Sequence, residues 1–233
     1  MQLRRRIEPA GGFFMAESEK VIRRAVTAGC QPRSVLTSDR WLPAIIELLR
    51  DVDAKVYLAD DLLIQEVAGY RVHRGALAAM HRPLLQPVDA VIRNARRLVV
   101  LEGIVDHTNV GAAFRSVAAL GFDAIVIDST CADPLYRRSV RVSMGTVLTL
   151  PWTRAPHWPR ELGTLKAAGF TTVALTPASD APAISALAET LMRRARHDFD
   201  KNRIALVLGA EGDGLSSHVM TSCDERARIP MAF

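Results

Sequence analysis

Residues 203–233 read RIALVLGAEGDGLSSHVMTSCDERARIPMAF. The segment 204–208 is a short, continuous apolar run with β-branched residues, stopped at once by Gly209. Such a run is expected as a strand buried on both faces, in a parallel sheet covered by helices. Gly209, Gly212 and Gly214 follow around two acids, Glu211 and Asp213. Glycines at the C-terminal end of a strand let backbone turn tightly and approach a ligand, and that edge of an open parallel sheet is where ligands bind. Ser216 and Ser217 are placed to cap a following helix. Residues 227–229 read as one more strand, stopped by Pro230.

Two phosphate loops fail against this stretch. Gly209 and Gly214 have Walker A spacing and Ser216 stands at the hydroxyl position, but the lysine position is Leu215. The charge that would meet the phosphates is therefore missing. The three glycines also run in the reverse order to G-x-G-x-x-G, and an acid inside the loop repels phosphate.

The rest of the chain is ordinary in composition. Of 233 residues, 49% are hydrophobic and 24% charged, the balance of a globular protein of one large or two modest domains. No apolar run approaches the length of a membrane span, and the arginine-rich N-terminus lacks the apolar core of a signal peptide. Cys30, Cys131 and Cys223 are odd in number and far apart. That pattern predicts buried thiols, a reducing compartment and no metal site, with the cytoplasm as default. The net charge is +5, with 26 Arg against 4 Lys. It permits an RNA partner without requiring one, and a GC-rich genome produces the same arginine bias.

The periodicity alternates strands and helices throughout. In the first part, residues 16–26 are expected as a helix, 35–37 as a strand, 42–49 as a helix and 55–58 as a strand. Asp60 or Asp61 then caps a helix ending near Gly69, and 75–80 is strand-like. The proline-punctuated run PLLQPVD at 83–89 is the candidate linker. Beyond it strands are expected at 98–101, 124–127, 146–150 and 171–175, with helices at 109–120, 136–142 and 161–168. This alternation predicts a parallel sheet.

Two further clusters carry chemistry. The first, LEGIVDHTNVGAAFRS at 101–116, sits at the end of a predicted strand. Asn109 falls at a helix start, where its side chain can cap. Arg115 falls two turns along among apolar neighbours, which is costly unless it is paired or liganded; surface charge is the plainer alternative. His107 is read as a turn residue. The second cluster, YRRSVRVSMGT at 136–146, contains Arg141, Ser143 and Gly145.

Together these stretches resemble the SpoU branch of the SPOUT methyltransferases. The third motif of that family, Leu-Gly-x-Glu-x-x-Gly-Leu, then Cys-Asp, then Ile-Pro-Met, matches Leu208 to Leu215, Cys223-Asp224 and Ile229-Pro230-Met231. Asn109-x-Gly111-x-x-x-Arg115 matches the first motif, with Asp106-His107 in place of Asp-Pro, and Arg141-x-Ser143-x-Gly145 matches the second. The resemblance implies an α/β fold: a small N-terminal substrate-binding domain over residues 1–85, a linker at 86–94, and a SPOUT-type parallel sheet with a C-terminal trefoil knot over 95–233. It implies methyl transfer from S-adenosyl-L-methionine to a ribose 2′-hydroxyl of rRNA or tRNA, without metal or membrane, in a homodimer. Asn109, Arg115 and Glu211 would be catalytic. Thr176, Gly209, Gly214, Ile229 and Met231 would hold the cofactor. Arg141 and Ser143 would meet RNA, and Arg4, Arg5, Arg6, Arg71, Arg74 and Arg82 would supply phosphate contacts.

The resemblance breaks at the end. Relatives continue into a Ser-Leu-Asn-Val segment and a final helix, so the natural protein is expected to run past Phe233, and a chain ending there to bind the cofactor poorly. The same break leaves a non-catalytic RNA-binding relative as the alternative. A nucleotide-dependent oxidoreductase would need a glycine fingerprint that residues 102–111 lack.

Overall fold

The computed structural model describes residues 7–70, 75–195 and 203–231. Arg4, Arg5, Arg6, Arg71 and Arg74 lie outside the described residues. The chain folds into two compact units. The first comprises residues up to Leu84 with Gly111–Arg115 and Asp133–Thr149; the second comprises Leu85–Val110, Ser116–Ala132 and residues from Leu150 on.

The first unit is built on a four-stranded sheet in the order β1-β4-β2-β3. Its strands are β1 (Phe13–Glu17), β2 (Pro32–Thr37), β3 (Lys55–Leu58) and β4 (Ala76–His81). β4 pairs antiparallel with β1 and β2, while β2 and β3 run parallel. The helices are α1 (Ile7–Ala10), α2 (Glu19–Thr27), α3 (Leu42–Leu48), α4 (Asp61–Ala68) and, from later in the chain, α7 (Arg137–Val142). The helix expected over 16–26 begins only at Glu19, because residues 13–17 pair with β4 and Ser18 breaks the chain at φ 78. From there Val21, Ile22 and Ala25 are buried, as the spacing requires. Asp60 caps α4 by accepting the Leu63 N–H at 2.7 Å, and Gly69 closes it in the left-handed conformation.

The strand expected at 146–150 is not formed. After α7, Gly145 takes φ 82 and residues Thr146–Leu148 make a 3-10 turn. Local side-chain bonds favour the turn: Thr146 Oγ1 donates to the Ser143 carbonyl at 2.9 Å, and Gly145 N donates to Ser143 Oγ at 3.2 Å. Gly111 has no room for a side chain, since a Cβ would lie 2.8 Å from the Ser139 carbonyl and 2.9 Å from Val142 Cβ. The Arg82 guanidinium grips both carboxylate oxygens of Asp133 and donates to the Phe13 carbonyl at 2.9 Å. It is therefore a structural tie, not the free phosphate ligand expected of it.

The second unit is a six-stranded, wholly parallel sheet in the order β10-β8-β9-β5-β6-β7. Its strands are β5 (Arg97–Leu101), β6 (Ala124–Asp128), β7 (Trp152–Ala155), β8 (Phe170–Leu175), β9 (Arg203–Leu208) and β10 (Glu225–Ala227). Its helices are α5 (Val88–Ile92), α8 (Glu161–Ala167), α9 (Ile184–Ala195) and α10 (Ser217–Ser222); α6 (His107–Ala119) is shared between the units. The expected parallel sheet is present. The final strand lies earlier than expected, ending at Ala227, with Arg228 only bridging to Ala183. On one face Leu98, Val100, Val126, Ala205 and Val207 pack with Val88, Ile92, Leu162, Leu165 and Val219. On the other, Val173 and Ala227 pack with Leu187, against half-buried Ile204 and Leu206.

Polar side chains hold the strand ends. Arg203 donates to the carbonyls of Ala95 at 3.0 Å and Ala168 at 2.6 Å, and stacks 4.3 Å over Phe170. It thereby ties together the chain around the starts of β5, β8 and β9. Asp224 accepts the Thr172 N–H at 2.8 Å and hydroxyl at 2.6 Å, and pairs with Lys166 at 2.7 Å. Burial opposes its charge, but those hydrogen bonds and the ammonium hold the carboxyl below the usual range.

Glu8 of α1 is fully buried, and among the described residues neither carboxylate oxygen has a hydrogen-bond partner. Burial, reinforced by Asp133 and only partly offset by Arg82 and Arg137, pushes its pKa up to about 7 from an ordinary 4.5. The folded state thus keeps a proton that the unfolded chain releases. The resulting stability is complete below the unfolded value and lost as pH rises through the folded one, a difference of about 3 kcal/mol. Glu8→Gln is expected to match the parent protein near the ordinary carboxylate pKa and to be more stable by that amount at alkaline pH. Urea unfolding across the range checks this; a pH profile unaltered by the substitution contradicts it.

Candidate active site

The C-terminal ends of β8, β9 and β10 bring three predicted residues to one edge. In the register, Ala174 pairs with Val207 and Leu175 with Ala227. Two residues beyond the first pair, Thr176 and Gly209 leave adjacent strands, and Ile229 follows two residues after Ala227. Thr176 N donates to the Ala227 carbonyl at 3.0 Å, and its hydroxyl accepts the Ala178 N–H at 3.2 Å. Ile229 and Met231 stand exposed at 58% and 67%. An apolar ring laid against that edge would remove both from water.

The loop after β9 is closed by backbone. Ala210 N donates to the Gly214 carbonyl at 3.1 Å and Gly214 N returns to the Ala210 carbonyl at 3.0 Å. Gly209 is required by close approach: a Cβ there would lie 2.1 Å from Gly214 C and 2.3 Å from Leu215 N. Gly212 and Gly214 hold positive φ with open space at the Cβ position, so the loop presents bare backbone outward. Between Gly209 and Gly212, Glu211 Oε2 accepts a hydrogen bond from Asn109 Nδ2 at 3.1 Å. This bond joins the first and third motifs across a sequence separation of 102.

Asn109 is not the helix cap. Asp106 is: its Oδ1 accepts the N–H groups of Thr108 at 2.7 Å and Asn109 at 3.1 Å. The aspartate satisfies the free donors of the first turn and leaves the asparagine amide available to Glu211. His107 is the first residue of α6 and is nearly buried.

Three predicted residues belong to the first unit. Arg115, two turns along α6, is exposed; it bears no burial cost, so the reasoning from apolar neighbours does not hold. Arg141 is likewise exposed. Ser143 is fully buried, its hydroxyl donating to the Val140 carbonyl at 3.0 Å. It shapes the turn after α7 and has no surface to offer RNA, which corrects the role expected of it.

Sequence reading missed Glu102. This side chain, one residue past β5, accepts from Ser216 N at 2.9 Å, Ser216 Oγ at 2.9 Å and Trp158 Nε1 at 3.1 Å. A lone acid after a strand is too common a signal to be singled out, and its partners lie far away in sequence. Both neighbouring thiols are disfavoured as thiolates: burial first of all pushes Cys131 up to about 12 and Cys223 up to about 11. Among the described residues, no cluster of acids, histidines and cysteines is arranged to hold a metal ion.

A parallel sheet with a glycine loop, an amide–carboxylate pair and exposed apolar side chains at its C-terminal edge makes this an α/β protein whose candidate site is built largely of backbone. Residues 96–233 match the SpoU rRNA Methylase family, and the chain belongs to that family of RNA methyltransferases. It is 40% identical over 225 residues to an uncharacterized tRNA/rRNA methyltransferase of Mycobacterium bovis, covering 96% of this chain and 75% of the relative. It is 28% identical to the 23S rRNA (guanosine-2′-O-)-methyltransferase RlmB of Acinetobacter baylyi, over 87% of this chain and 82% of that one. The fold matches the SpoU methyltransferase AviRb of Streptomyces viridochromogenes in complex with AdoMet, with a TM-score of 0.79 at 24% identity, covering 99% and 86% of the two chains.

Gly209→Ala is expected to destabilise the protein by about 1–3 kcal/mol, because the new methyl meets rigid backbone. Gly163→Ala, in a helix with open space around it, is expected to be neutral or slightly stabilising. Thermal unfolding of the two variants side by side checks the contrast, and equal midpoints would remove the close-packing argument.

Proposed function

We propose that this chain transfers the methyl group of S-adenosyl-L-methionine to a ribose 2′-hydroxyl of rRNA or tRNA. The observation that carries the reading is the Asn109–Glu211 hydrogen bond, made beside the edge where Thr176, Gly209 and Ile229 leave adjacent strands. The names of the Mycobacterium and Acinetobacter relatives, and the cofactor held by the AviRb structure, support it. When bound, the cofactor supplies a methyl group activated by a sulfonium; Thr176, the loop from Gly209 to Gly214, Ile229 and Met231 would hold it. Asn109 and Glu211 orient the site through their shared bond. The attacking 2′-oxygen bonds to the methyl carbon as the carbon–sulfur bond breaks, and its proton passes to a neighbouring phosphate or to water. On this reading the exposed guanidinium of Arg115 holds the adjacent phosphate and stabilises the developing alkoxide.

The remaining parts of the proposal follow the family. Residues 1–85 bind the RNA substrate, 86–94 link, and 95–233 catalyse. The C-terminal segment is threaded as a trefoil knot, which the insertion of β9 between β5 and β8, with β10 outside β8, supports. The working form is a homodimer in the cytoplasm, where rRNA and tRNA are found.

Arg115→Ala is expected to leave cofactor affinity within a few-fold and to lower turnover by roughly a hundredfold, the size of losing one transition-state donor. Transfer of labelled methyl to total RNA, with mapping of the modified nucleotide, tests both the variant and the reaction. No transfer by the parent protein to any RNA would favour a binding-only relative. Replacing Arg71 and Arg74 by alanine in the full chain is expected to weaken RNA binding and its salt dependence. The log–log slope should fall by about 0.7–0.9 for each phosphate that is no longer neutralised. An unchanged slope would remove these two arginines from the RNA surface.

A further inference from the structure

Glu102 grips both ends of the glycine loop. At the loop's start its backbone N–H donates to the Leu208 carbonyl at 2.9 Å, extending the β5–β9 ladder by one rung. At the loop's end its carboxylate accepts from both the backbone N–H and the hydroxyl of Ser216, each at 2.9 Å. Glu102 Oε1 also accepts the indole N–H of half-buried Trp158 at 3.1 Å, which fixes the carboxylate from the turn before α8. The Ser216 hydroxyl donates to that carboxylate. The serine's lone pairs are thereby left for the Val219 N–H at 3.4 Å, the cap of α10. One side chain sets the span of the loop and the direction of the hydroxyl that starts the next helix.

We propose that Glu102 is a positioning residue for the cofactor: by holding Leu208 and Ser216 together it sets the shape of the loop from Gly209 to Leu215. It touches neither reactant and acts through Ser216. The role rests on the reading of that loop as a wall of the S-adenosyl-L-methionine site. Asn109 steadies the same loop at its middle, through Glu211, and Ala210 and Gly214 bond each other within it, so Glu102 adds the tie between the loop's exit and the end of β5.

Glu102→Gln is the informative change. It preserves size, but the amide presents a donor to either Ser216 N–H or the Trp158 indole, and one of those bonds must break. Amide hydrogen exchange over residues 209–217 of the full chain reads the clamp without any ligand. Exchange there is expected to quicken by roughly tenfold, the scale of one hydrogen bond to a charged group, with β5 and β9 unchanged. Calorimetry with S-adenosyl-L-methionine is expected to show a dissociation constant raised by about the same factor. Turnover at saturating cofactor should stay within about threefold, a split that general destabilisation would not produce. Trp158→Phe, which keeps the ring and removes the donor, is expected to move both readouts the same way by less. Glu189→Gln, on an exposed part of α9, should move neither. Unaltered loop exchange in Glu102→Gln overturns the clamp, and quickened exchange with unaltered cofactor affinity overturns its positioning role. Failure of the parent protein to bind S-adenosyl-L-methionine would overturn the functional reading and with it the cofactor role, while exchange would still score the clamp.

Discussion

The second unit depends on β9 being paired on both edges, to β5 on one side and β8 on the other. A strand in that position can carry no charge along its length and must leave the sheet at its end, between two neighbours. Its residues meet the first demand, with the single arginine at the start turned to the carbonyls of Ala95 and Ala168. Gly209 meets the second, since the backbone of Gly214 and Leu215 passes through the space a side chain would fill. The loop is therefore compact, with its open glycine positions turned away from that close approach.

Most of the charged and polar residues around the site serve this arrangement before they serve chemistry. Asp106 caps α6, and Asp224 joins α10 to β8 through Thr172. Each satisfies backbone or side-chain donors and acceptors that would otherwise be left without partners, at about 1–3 kcal/mol apiece. Asn109 and Glu211 differ, because their hydrogen bond links the first turn of α6 to the loop after β9 and caps nothing.

The fold is legible in the sequence where the signal is local. The apolar run of β9, the Asp60 cap and Gly69 stop of α4, and the alternation that makes a parallel sheet all lie within a few residues of one another. Legibility fails where two local signals compete. Residues 13–17 abut a strongly amphipathic helix that masks the end of the strand, and β-branched residues after Gly145 suggest a strand where side-chain hydrogen bonds favour a turn. Thr176, Gly209 and Ile229 are indicated together by the family resemblance; of the two readings open for Arg115 the structure shows the exposed one, and the surface role expected of Ser143 is reversed by its burial.

What the sequence by itself determined is the kind of most elements, the family and the glycine loop, because hydrophobic period, turn chemistry and motif spacing are properties of neighbouring residues. Only the tertiary structure decided the insertion of β9 between strands formed earlier in the chain. It alone decided that Asp106 caps in place of Asn109. It alone brought Glu102 to Ser216 and Trp158, across separations of 114 and 56 residues. A carboxylate has no local preference that reveals a distant partner. Its worth comes from donors that chain folding brings within hydrogen-bond distance and shields from water.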